Sequence, residues 1–95
     1  MLKVITLALS TVLFSSMSLA CTKPTAPSLP DANTAVTAQM VKAKNEVKAY
    51  MTQAEAYLEC AADTQSHNLV VDEMQKTADA FNAAVRAYKT RMSNA

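Results

Sequence analysis

The sequence predicts an all-α fold, an antiparallel two-helix hairpin preceded by an N-terminal polyproline II arm. Three observations lead there. Glycine is absent and the last proline is Pro30, so neither helix-breaking residue type occurs beyond it. Two stretches, about 33–61 and 68–92, repeat apolar residues at spacings of three and four. Between them lies only the polar connector Ala62-Asp63-Thr64-Gln65-Ser66-His67. So short a link between two long helices folds the second back along the first. No run alternates β-branched with polar residues, so strands are not expected.

Residues 1–20 read as a secretory signal peptide. Met1-Leu2-Lys3 is a short basic start, and Val4 to Phe14 is apolar apart from Thr6, Ser10 and Thr11. Ser18 and Ala20 place small residues at −3 and −1 of a cut before Cys21. The apolar core of 11 residues is short of the ~20 that span a bilayer. The expected product has 75 residues, and the loss of Lys3 leaves eight Lys+Arg against eight Asp+Glu. A neutral chain lacks the clustered cations that nucleic acid requires. The expected location is the periplasm of a bacterium or its exterior. At this length the chain forms one small domain, extended arm 21–32 followed by hairpin 33–95, and its core benefits from a covalent staple.

The arm opens "CTKPTAPSLP", with Pro24, Pro27 and Pro30 at every third position. That period marks one face of a polyproline II helix, which advances ~9.3 Å per three residues. A heptad of α-helix advances ~10.5 Å. The arm can therefore run beside the first helix and meet one heptad-spaced feature per turn. Tyr50 and Tyr57, seven apart, supply that feature: their flat rings suit proline packing while the hydroxyls reach water. The architecture resembles the polyproline-against-α-helix hairpin of the pancreatic polypeptide group.

Cys21 and Cys60 survive the expected cut. An even pair in an oxidising compartment favours a disulfide. The alternative is lipid attachment at Cys21, which would make the protein a membrane-anchored lipoprotein. Ser18 and Leu19 at −3 and −2 invert the order that lipidation prefers, and a lipidated Cys21 could not bond to Cys60. Reach sets a condition on the bond. If the first helix starts at 33, Cys60 lies 27 residues along it, about 40 Å. The 12 steps from 21 to 33 cover about 37 Å when fully extended, and a disulfide spans a further ~5.5 Å. A helix start after 34 would leave slack. Closing a loop of about 40 residues is worth roughly 4 kcal/mol in the chain-entropy account.

In the first helix the apolar repeat is Val36, Met40, Ala43, Val47, Met51 (or Tyr50), Ala54, Leu58 and Ala61. In the second it is Val71, Met74, Ala78, Phe81, Val85, Tyr88 and Met92, a sustained heptad that predicts near-parallel packing on a partner helix. Asp72 and Glu73 are expected in the first turn of the second helix, and Lys89 and Arg91 in its last turns, as the macrodipole favours. Folding the hairpin gathers Lys42, Lys44, Lys48, Lys89 and Arg91 at the open end. Glu55, Glu59, Asp63, Asp72 and Glu73 collect at the loop end.

Catalytic chemistry finds little support. His67 is the only histidine. With Asp63 at i, i+4 it makes at most a weak metal site, because one imidazole fixes no geometry. Ser66 adjoins it, but a nucleophile and base also need a pocket, an orienting acid and oxyanion donors. No glycine-rich phosphate loop exists, and the cysteines are not in a Cys-x-x-Cys arrangement. Methionines 40, 51, 74 and 92 lie in the apolar repeats and are expected to fill the core. No enzyme activity, cofactor or metal is expected.

"CTKPTAPSLPD", "AEAYLEC" and "FNAAVRAYKTR" carry a resemblance to small exported proteobacterial helical-hairpin proteins of uncharacterised function. The resemblance implies a soluble periplasmic hairpin with paired cysteines and brings no activity or ligand. The expected function is that of an exported, non-enzymatic binding or structural module. Two helices cannot enclose a core, so a seam around Met40, Val47, Phe81 and Val85 is expected to bury in a second copy or in a periplasmic protein. A membrane enters only if Cys21 is lipidated.

Overall fold

The computed structural model describes residues 21–94; the expected signal peptide lies outside them. Two helices, α1 (Thr37–Cys60) and α2 (Thr64–Ser93), form an antiparallel hairpin, and no strand occurs among the described residues. The all-α hairpin is the predicted architecture. Its boundaries differ from those expected, for physical reasons that the structure shows.

Helix α1 starts at Thr37 rather than near 33, because residues 31–35 form a turn first. Thr34 N–H and Ala35 N–H donate to the Asp31 carbonyl at 3.1 and 2.8 Å, and Asn33 N–H donates to Asp31 Oδ1 at 2.9 Å. An aspartate accepting from the backbone two residues on is a local competitor of helix. Val36 has no side-chain acceptor with which to cap α1. Instead Gln39 Oε1 reaches back to the Val36 N–H at 2.9 Å, one half of a capping box.

Helix α2 starts at Thr64, so the connector shrinks to residues 61–63. Asp63 is its N-cap, accepting from Ser66 N–H at 2.6 Å and from Ser66 Oγ at 3.1 Å. Gln65, Ser66 and His67, expected in a loop, lie in the first turn. Asp72 and Glu73 then fall well inside the helix, and its first turn holds no acidic residue. The negative charge at that end is the cap itself.

The core sits between the helices and under the arm. Tyr50, Ala54 and Val70 form its centre, with Met51, Tyr57, Leu58 and Met74 packed around them. Ala35, Met40, Ala43 and Val47 continue it toward the open end. Helix α2 turns a slightly different face inward from the one its heptad predicts. Val70 and Thr77 are buried, whereas Val71 and Met92 are 41% and 51% exposed. The inward rows are Met74, Phe81 and Tyr88 with Val70, Thr77 and Ala84. The expected row Val71, Ala78, Val85 and Met92 flanks them on the outer side.

Residues 21–30 run antiparallel to α1 and over the groove between the helices. Leu29 and Pro30 lie beside Gln39, Lys42 and Ala43. Lys23 and Pro24 lie beside Gln53, and Cys21 reaches the end of α1 at Cys60. From the level of Ala43 to that of Cys60 is about 26 Å of helix. The nine steps from Cys21 to Pro30 would cover about 28 Å in a polyproline II conformation. The segment is therefore close to fully extended. The later start of α1 leaves slack in the reach, and the turn at 31–35 takes it up.

Candidate functional site

The arm closes one face of the hairpin. Pro24, Pro27 and Pro30 are each half-buried, as is Leu29, while Thr25, Ala26 and Ser28 are exposed. Of the two tyrosines singled out with them, Tyr50 is buried and Tyr57 half-buried. Where the arm crosses toward α2, Lys23 Nζ meets Glu73 Oε1 at 3.0 Å. The hydrogen bond to Glu73, and then its charge, raise the lysine above its ordinary range. The Tyr50 hydroxyl is buried near Thr77 and Glu73 without a well-formed hydrogen bond. Burial, reinforced by the Glu73 carboxylate, pushes that phenol up.

Cys21 and Cys60 come together at the end of the arm. Cys21 Sγ lies 4.0 Å from the Cys60 carbonyl oxygen, and Cys60 Sγ donates to the Tyr57 carbonyl at 3.5 Å. The arm thus brings Cys21 beside Cys60, the placement that the expected staple needs. The hydrogen bond with Cys21, then desolvation, pushes the Cys60 thiol up to about 11.

At the other end of the hairpin Arg91 does work that the sequence reading missed. On sequence it counts only toward the open-end charge cluster and the helix dipole. Its Nη1 donates to the Asn33 carbonyl at 3.0 Å, and Nη2 donates to the Ala35 carbonyl. Its guanidinium stands 5.4 Å from the centre of the Tyr88 ring, and the Tyr88 and Thr37 hydroxyls are hydrogen-bonded. Together these fasten the end of α2 to the turn before α1. A fork aimed at two carbonyls is a job for arginine, yet carbonyl partners leave no trace in a sequence.

The opposite face of the hairpin has no arm. There Met40 and Val41 of α1 and Phe81, Val85 and Tyr88 of α2 line an open groove of about 240 Å³, with Lys44 and Lys89 at its edges. The expected interaction seam is redrawn by this. Met40 and Val47 are buried within the chain, at 8% and 7% exposure, while Val41, which was not singled out, is 52% exposed. Phe81 and Val85 are half-buried and do line the groove.

Charge is segregated along the axis, but part of each cluster is consumed internally. Among the described residues the ion pairs are Lys23–Glu73, Lys42–Glu46 and Lys76–Asp72. Lys44, Lys48 and Lys89 near the open end take no part in them, nor do Glu55 and Glu59 near the loop. His67 is exposed in the first turn of α2. No group of three His, Cys, Asp or Glu residues is placed to hold a metal ion among the described residues, and no helix there is long and apolar enough to cross a membrane. No family model, curated protein or solved structure matches the chain.

Proposed function

We infer that the chain is an exported, non-enzymatic module that presents a helical face to another protein. The observation that carries this is the asymmetry of the hairpin. One face is closed by the arm, whereas the other leaves Val41, Val85 and their neighbours as an apolar groove between exposed lysines. A chain whose second face served no partner would gain solubility from polar residues at Val41, Val71 and Met92. Export, and with it a periplasmic setting, rests on the pattern of residues 1–20. The meeting of Cys21 with Cys60 supports disulfide use of that sulfur over lipid attachment.

The test is where polar substitutions are tolerated. In dilute solution Val41→Gln with Val71→Gln should melt within a few degrees of the parent, because a binding face contributes little to the isolated chain. Ala54→Gln, at a fully buried position, should abolish the cooperative melt by overpacking and by burying an amide. If the double variant unfolds as Ala54→Gln does, the face is core and the reading fails.

A further inference from the structure

We propose that the open face is covered by a second copy of this chain, the two hairpins packing face to face with opposite ends together as a four-helix bundle. This rests on the binding reading above and names the partner of that face.

The first support is the width of the apolar surface on α2. A two-stranded seam needs two apolar rows per heptad, whereas a helix facing the centre of a bundle carries a third. Helix α2 has the third: Val71, Ala78, Val85 and Met92 run beside the two inward rows. Its ends are open, with Val71 41% and Met92 51% exposed, and Ala78 and Val85 between them are only half-buried. Helix α1 contributes Val41, Met51 and Leu58 on its matching flank, exposed or half-buried. The strip is ample for an interface. From Thr37 to Leu58 it is about 32 Å long, and two helices make it about 20 Å wide. That is about 640 Å² per copy and roughly 1,300 Å² for the pair, within the range of specific interfaces.

Charge selects the partner and its direction. On α1 the stripe Val41, Lys44, Lys48, Met51, Glu55, Leu58 advances by three and four, so two lysines and a glutamate edge the same face. Glu59 lies four residues beyond Glu55. Two hairpins can pack face to face about a two-fold axis in either of two ways. An axis along the helices brings Lys44, Lys48 and Lys89 of both copies to one end, where they repel. An axis across the helices near residues 49–50 sets Lys44 opposite Glu55 and Val41 opposite Leu58 of the other copy and brings Lys89 to the acidic end, while Lys48 lies near the axis. A neutral chain with segregated ends is self-complementary only in the second arrangement. The arms remain on the two outer surfaces, clear of the contact.

Sedimentation equilibrium on the processed chain, up to about 1 mM and at low salt, decides the matter. The expected result is a dimer. Lys44→Glu with Lys48→Glu should weaken it at least tenfold, and so should Glu55→Lys with Glu59→Lys. All four substitutions in one chain should restore it, because the swapped charges meet again across the two-fold axis. Val41→Gln with Val71→Gln should weaken it at least tenfold with an unchanged helical circular dichroism spectrum. A strict monomer at 1 mM overturns the proposal, as does a dimer indifferent to charge reversal or not restored by the fourfold swap. If the chain is monomeric while Val41→Gln with Val71→Gln still folds when dilute, only self-pairing fails. Unfolding of that double variant when dilute removes the binding reading itself.

Discussion

Asp63 shows how one side chain sets the geometry of the hairpin. Its carboxylate accepts from the Ser66 backbone and hydroxyl, which ends the connector and starts α2. Those bonds, the backbone one first, hold the carboxyl below its ordinary range. A carboxyl depressed in the folded state contributes stability that is present above its unfolded value. The contribution is lost as pH falls through the folded value. The melting temperature of the parent should therefore drop on acidification from pH 5 to 2, with a share assignable to this cap. Asp63→Asn keeps a capping oxygen that does not titrate, so its melting temperature should fall less steeply over the same range. Parallel curves for the two proteins would show that the charged cap contributes nothing. The cap was legible: an aspartate directly ahead of a long apolar repeat is a start signal. Reading Asp63 to His67 as connector instead moved the start of α2 four residues late.

The elements were legible in kind because glycine is absent and proline confined to the arm, and their spacings left only helices. Their phase was less so. On α2 the row Val71, Ala78, Val85, Met92 is more apolar than Val70, Thr77, Ala84, Arg91, so hydrophobicity alone favours the wrong row for the seam. Thr77 goes in because the arm crosses it, and Arg91 because it serves two carbonyls of the turn. Both reasons lie in other parts of the chain. The arm's path was predictable from its proline period and from reach, and the cysteines meet where that arithmetic requires. Their meeting makes oxidation a property of the arm. With oxidised glutathione as acceptor, thiol–disulfide exchange should join Cys21 to Cys60. The two thiols lose two protons and two electrons, and the acceptor is reduced to two glutathione thiols. The intact mass should fall by about 2 Da, and the melting temperature should rise by at least ten degrees, as expected for closing so long a loop. Because the Cys60 thiol is pushed up to about 11, the exchange should speed up as pH is raised from 7 to 9. A stable mixed disulfide with glutathione at Cys21, with no internal bond at any pH, would defeat this account.

At the scale of the whole molecule, two helices have four long faces between them and cannot enclose a core alone. The arm solves half of that problem. It lies over the groove where Tyr50 and Thr77 are buried, and Lys23–Glu73 fastens it to α2. The ion pair is at the surface, where such pairs contribute little, so what holds the arm is apolar burial by its three prolines and Leu29 with the cysteine contact at its tip. The two parts are then mutually dependent. Without the arm, Tyr50 and Tyr57 keep only the contacts of the helix–helix core, and α1, which has no acidic residue in its first turn and no basic residue in its last, has little intrinsic support. A chain beginning at Asp31 should therefore lose its cooperative melt and its near-ultraviolet tyrosine signal while keeping part of its helical content, the signature of a loosely packed hairpin. Replacing Pro24, Pro27 and Pro30 by serine should give an intermediate result. The arm keeps its length and its cysteine but loses apolar contact and pre-set extension, so the melt stays cooperative at a lower temperature. If the shortened chain melts as cooperatively as the parent, the arm is a passenger and the closed face has been misassigned. A sharp melt for the serine variant at the parental temperature would locate the hold in the cysteine contact alone.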